Sequence, residues 1–190
     1  PYTFFGFEPG TTKDQIRECL VNFTKGDNKI TSYSKAYRLD PGTGWDVPPG
    51  ILHAPGSLCT FEPQKASDVY AMYQSVVNHQ VVPTELLWKD CPEDKIGDFD
   101  YLIEVLDWEA NVDPNFVENH FMEPKSCFGS AEEVEENGYD EKWICYRNEA
   151  YSATEVTVLP GRTVTIKNAG CYGMIMMQGH GTMGASHIET

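Results

Sequence analysis

The chain has 190 residues, 41% of them apolar and 12% aromatic, which is room for one large or two small domains with a substantial core. Its net charge of −15 argues against a nucleic-acid partner, because a polyanion is repelled and basic side chains are too few to release its counterions. No apolar run approaches the roughly 20 residues of a membrane span, so no membrane partner is expected either.

Taken in chain order, Tyr2 to Phe7 is an aromatic-rich strand. Thr12-Lys13-Asp14-Gln15 is a capping box, and it opens a helix whose Ile16, Cys19, Leu20 and Phe23 recur at i, i+3, i+4 and i+7. Tyr33 to Leu39 alternates as a half-buried strand does, and Asp40-Pro41-Gly42 turns the chain. Strands are predicted around Trp45 to Val47, Leu58 to Glu62 and Asp68 to Tyr73, with reversals at Pro49-Gly50 and Pro55-Gly56. Phe99, Leu102, Ile103 and Leu106 hold helical spacing, and Asp113-Pro114 reads as an N-cap with Pro at the first helical position. Trp143 to Arg147, Tyr151 to Leu159, Thr163 to Lys167 and Tyr172 to Gln178 then read as four more strands between turns, the pattern of a sandwich or barrel. The acidic run Glu132-Glu133-Val134-Glu135-Glu136 and the Asp90 to Asp100 stretch are solvated faces.

Six cysteines, Cys19, Cys59, Cys91, Cys127, Cys145 and Cys171, stand far apart without a C-x-x-C pair. Reduced, buried thiols in a cytoplasmic protein are expected from that spacing, rather than a disulfide framework or a zinc finger.

The chemistry-bearing run is Trp45-Asp46-Val47-Pro48-Pro49-Gly50-Ile51-Leu52-His53-Ala54, followed by Phe61-Glu62-Pro63-Gln64-Lys65-Ala66-Ser67-Asp68. If the turns pair the two segments as a hairpin, His53 and Glu62 face one cavity, where an imidazole and a carboxylate can share a divalent cation. Alternatively His53 lines a barrel and is hydrogen-bonded to a neighbour, while Glu62 pairs with a lysine or a backbone amide. One His and one Glu fall short of a full coordination sphere.

In order and in motif, residues 1 to about 75 resemble the cupin core of type I mannose-6-phosphate isomerases, and residues 140 to 184 look like a second cupin-type sheet. The resemblance implies an all-β fold with minor helices, a cupin jelly roll of bicupin type. Its domains would be a β domain over 1–83, a partly helical connection over 84–125 and a second sheet over 126–190. It implies an aldose–ketose isomerase acting on a sugar or sugar phosphate with a divalent metal, zinc foremost. The family's Pro-x-Gly-x-x-His histidine is a metal ligand, which here is His53, and Glu62 and Gln64 occupy positions facing the same cavity as catalytic candidates. The departures are also plain: no arginine lies in Asp68 to Tyr73, and Arg162 to Gly173 carries no paired histidines. Three further family ligands, a Gln, a His and a Glu, belong to a segment preceding Pro1, so both ends are expected to be cut from something longer and the fragment to be inactive.

The competing expectation is a non-catalytic carbohydrate-binding or structural module. His180, between Gly179 and Gly181, reads as a turn residue, and His79, His120 and His187 as surface residues. Open strand edges suggest a homodimer.

Overall fold

A computed structural model describes residues 1–67 and 69–190. The first half contains β1 (Tyr2–Phe7), α1 (Lys13–Val21), β2 (Ser34–Arg38), β3 (Gly44–Trp45), β4 (His53–Ala54), β5 (Val76–Val77), β6 (Gln80–Val81) and α2 (Phe99–Glu104). There follow α3 (Trp108–Asn111), α4 (Phe116–His120), β7 (Phe121–Met122), β8 (Lys125–Ser126), α5 (Ala131–Asn137), β9 (Tyr139–Cys145), β10 (Ala153–Val158), β11 (His180–Met183) and β12 (Ser186–Glu189).

The strands form five small antiparallel sheets, ordered β2-β1-β4, β10-β9-β8, β11-β12, β3-β7 and β5-β6. Helix and strand each account for 23% of the chain and no closed barrel forms among the described residues, so the fold is mixed and the expected all-β cupin jelly roll is overturned. The physical reason lies in two segments. Leu58 to Glu62 and Thr163 to Gln178 have strand-like composition, yet neither pairs with a neighbour. β propensity expresses a fit to a pleated, half-buried surface, and it produces no strand where that surface is missing. In the second segment Ile166, Tyr172, Met174, Ile175 and Met177 are all exposed. The strand predicted to start at Asp68 begins outside the described residues, and from Val69 to Tyr73 the backbone is irregular.

Helical expectations fare better. Thr12 caps α1 as the capping box requires: its hydroxyl accepts from the Gln15 N–H, and the Gln15 side chain accepts from the Thr12 N–H. The apolar stripe buries Ile16, Cys19 and Leu20 on α1, with Phe23 in the following turn, against Leu102 and Ile103 of α2. Phe7, Ile30, Tyr73, Val82 and Leu87 complete the buried set of this main core, which therefore runs into the segment after residue 83. α4 starts later than Asp113-Pro114 suggests. Asp113 instead accepts from the Asn115 N–H and the Asn119 side-chain amide, and the latter bond above all holds its carboxyl below the usual range.

A second cluster is aromatic: Phe5, Tyr37, Ile51 and Phe116 are buried, with Trp45 and Val47 packed on them. Ring centroids lie 5.2 Å apart for Phe5 and Trp45, and 5.7 Å for Phe5 and Phe116. Burial pushes the Tyr37 phenol up to about 12.

The loop at Gly26 to Asn28 is stapled to the segment before β5 by a buried polar network. The Ser75 hydroxyl accepts from the Asn28 N–H at 2.8 Å and donates to the Gly26 carbonyl at 2.7 Å. Asn28 answers by accepting from the Ser75 N–H and donating to the Tyr73 carbonyl. Ser75→Ala leaves the buried Asn28 N–H and the carbonyl of the exposed Gly26 without these partners, so a loss of about 2 kcal/mol is expected, mostly from the first. The check is a lower urea midpoint at unchanged denaturant slope.

The hairpin of β5 and β6 was not foreseen. Asn78 (φ 50°) and His79 (φ 64°) both take left-handed backbone, as a two-residue turn of the primed type needs. The segment read as ending in a turn around His180 is instead the hairpin β11–β12. All six cysteines are free, but Cys59, Cys127 and Cys171 are exposed, against the expectation of buried thiols. No helix among the described residues is long and apolar enough to cross a membrane.

Candidate functional site

The Pro48–Ile51 turn places His53. Pro49 supplies a fixed φ, Gly50 takes φ 86°, and the Ile51 N–H reaches the Pro48 carbonyl at 3.4 Å, as in a type II turn. A side chain at Gly50 would press on the Asp107 nitrogen at 2.8 Å, so the position also needs glycine for space. The chain then enters β4, where His53 lies opposite Phe5 of β1 and Ala54 opposite Phe4.

The turn is held from behind by Asn111, a residue the sequence reading did not single out. Asn111 is 1% exposed. Its Oδ1 accepts from the Leu52 N–H at 2.9 Å, and its Nδ2 donates to the carbonyls of Gly50 at 2.7 Å and Asp107 at 2.6 Å. One amide thus grips both sides of Ile51. The Asp107 N–H adds a bond to the Gly50 carbonyl at 3.1 Å. Gly6 of β1 completes the support, its N–H donating to the Leu52 carbonyl at 2.8 Å. No signal within a short window could have revealed this role of Asn111, because its partners in the turn are 59 and 61 residues away.

His53 itself is exposed, and its Nδ1 lies 3.1 Å from the Ile51 carbonyl. A carbonyl only accepts, so Nδ1 carries the proton in that bond, and in the neutral ring Nε2 keeps its lone pair. The imidazole is oriented and presents an acceptor outward.

Glu62 and Gln64 do not form the expected hairpin with it. Both are exposed on irregular backbone, and the recorded side-chain bond of Glu62 is from the Thr60 hydroxyl at 3.2 Å. Among the described residues, no group of three or more His, Cys, Asp or Glu side chains gathers to hold a metal ion. Zinc sites use three or four protein ligands. Among the described residues, the donors beside His53 fall short of that number.

The other histidines are placed as follows. His120 is half-buried, stacked 4.2 Å from the Phe116 ring with its Nδ1 at 2.8 Å from the Asp46 carbonyl, so it belongs to the aromatic cluster and not to the surface. His79 sits in the β5–β6 turn, His180 in β11 and His187 in β12, all exposed. Trp45 is partly buried, packed against the aromatic cluster.

Comparison with protein-family models, with curated proteins and with solved structures finds no match for this chain.

Proposed function

We propose that this chain binds a sugar or sugar phosphate without converting it, the ligand class of the mannose-6-phosphate isomerases that its Pro48 to Ala54 run resembles. The observation that carries the reading is His53: an exposed imidazole oriented by the Ile51 carbonyl, whose Nε2 in the neutral ring is an acceptor, with no catalytic partner bonded to it among the described residues. Moving a proton between adjacent carbons takes a base within hydrogen-bond reach of the substrate and a polarised oxygen beside it. Glu62 and Gln64 do not join His53 in such an arrangement. A lone imidazole acceptor serves a sugar hydroxyl.

The second reading is the isomerase itself. It is favoured by the tautomer of His53, because a free Nε2 lone pair is the donor that divalent cations take from histidine. Further donors beside His53 are what that reading needs.

The test combines elemental analysis with calorimetry on the purified chain and on His53→Ala. For the binding reading, mannose 6-phosphate or mannose binds the parent chain without added metal, and His53→Ala weakens it by about tenfold, the worth of one good hydrogen bond. Near-stoichiometric zinc, lost in His53→Ala and accompanied by isomerase turnover, would establish the second reading and overturn the first.

A further inference from the structure

A second concavity lies apart from the His53 strand, and none of its lining residues belongs to that site. The turn at Thr84–Leu86 and the loop that follows set Thr84, Glu85, Trp88, Lys89 and Ile96 around an open, mainly apolar cleft of about 450 Å³. That volume falls within the range of small-molecule sites.

Trp88 is the fixed wall. It is half-buried against the main core and packs on Phe99, with ring centroids 5.3 Å apart and planes tilted by 55°. Ile96 forms an apolar wall that the core does not use, since it is 58% exposed. The lip is pinned as well. The Lys89 ammonium stands 5.1 Å over the Tyr70 ring, and the Tyr70 N–H donates to Asp90 at 2.6 Å. A hydroxyl, a carboxylate and an ammonium, from Thr84, Glu85 and Lys89, thus rim an aromatic and aliphatic floor.

We propose that this cleft binds a single pyranose ring, with Trp88 against the C–H face of the sugar and Thr84, Glu85 and Lys89 at its hydroxyls. A pyranose has a face of polarised C–H bonds and an edge of hydroxyls. The negative face of an indole attracts the first, and charged or hydroxyl side chains bond the second. The rim balances one acid against one base, and the chain carries a net charge of −15, so a neutral ring suits the site better than a phosphate.

The experiment follows the indole N–H signals of the four tryptophans by NMR in the full chain, titrated with methyl mannoside, methyl glucoside, methyl galactoside and mannose 6-phosphate. The Trp88 signal is identified by its loss in Trp88→Phe. A saturating shift of that signal with at least one neutral glycoside is expected, with affinity, read from the backbone amide signals of residues 84–89, about tenfold weaker in Trp88→Ala. Should Trp88→Ala fail to fold, Glu85→Ala changes an exposed position and is expected to weaken binding by about threefold or more. A Trp88 signal that stays still up to about 50 mM glycoside, or an affinity, read from the backbone amide signals of residues 84–89, that Glu85→Ala and Trp88→Ala both leave unchanged, overturns the proposal. The Trp88 signal reports this cleft alone, so loss of binding at His53 does not bear on it.

Discussion

Gly6→Ala is expected to cost about 2–5 kcal/mol of folding stability, from two causes that act together. Gly6 holds φ 56°, where a Cβ meets the following carbonyl, and that alone costs about 1–2 kcal/mol. The same Cβ would also be driven into the backbone carbonyl of Asn111, which cannot swing aside as the end of a flexible side chain could. Overpacking of that kind adds about 1–3 kcal/mol. The comparison is Gly10→Ala, at φ 94° with nothing within 4 Å of the added carbon, where only the backbone strain of about 1–2 kcal/mol is expected. Urea midpoints of the two variants decide the matter. Equal losses would mean that contact between β1 and α3 contributes nothing, and that the left-handed backbone is the whole effect.

This close approach explains how β1 serves two cores. Its pairing with β2 shifts register between Phe4 and Phe7, around Gly6. Phe5 then enters the aromatic cluster, and Phe7 enters the main core beside α1. An aromatic strand was legible from Tyr2 to Phe7, but the bulge was not. The carbonyl that packs against Gly6 there belongs to Asn111, a neighbour far along the chain.

The same division between local and distant causes runs through the rest of the molecule. α1 was readable because everything that makes it is local: Thr12 and Gln15 cap it, and Ile16, Cys19 and Leu20 repeat on one face. The reversal at Pro49-Gly50 was readable because a type II turn asks for those residues. The β5–β6 turn escaped because it uses Asn78 and His79 where glycine would have announced it. Thr163 to Gln178 misled because alternation and β propensity say what a segment would do beside a partner, not whether it has one. For the candidate site, the position of His53 on a strand after a turn was legible. The hairpin that was to bring Glu62 and Gln64 to it was not formed, since the strand expected at Leu58 to Glu62 finds no pairing edge.

Asn111 is where fold and candidate site meet, and Asn111→Ala is expected to cost about 2–4 kcal/mol. The substitution takes the acceptor from the Leu52 N–H and the donor from the Gly50 and Asp107 carbonyls, in a place that is 1% exposed. Because Gly50 and Leu52 flank the carbonyl that orients His53, the loss should also loosen the imidazole, seen as broadening of its ring-proton signals in the folded variant. Asn111→Asp separates hydrogen bonding from shape. Its carboxylate can still accept from the Leu52 N–H, but it turns negative charge toward two carbonyl oxygens that had been receiving a donor. The charged form is disfavoured there, so the folded-state pKa of the new carboxyl lies above its unfolded value of about 3.9. A raised folded pKa means that the folded state holds its proton longer than the unfolded state does. Stability relative to the parent chain is therefore greatest below about pH 4, where the protonated acid can donate to one carbonyl, and it declines as pH rises through the folded pKa. Urea midpoints taken from pH 3 to 7 and expressed as differences from the parent should fall for Asn111→Asp and stay flat for Asn111→Ala. A flat difference for both variants would show that the amide's two donated bonds do not hold the Gly50 turn.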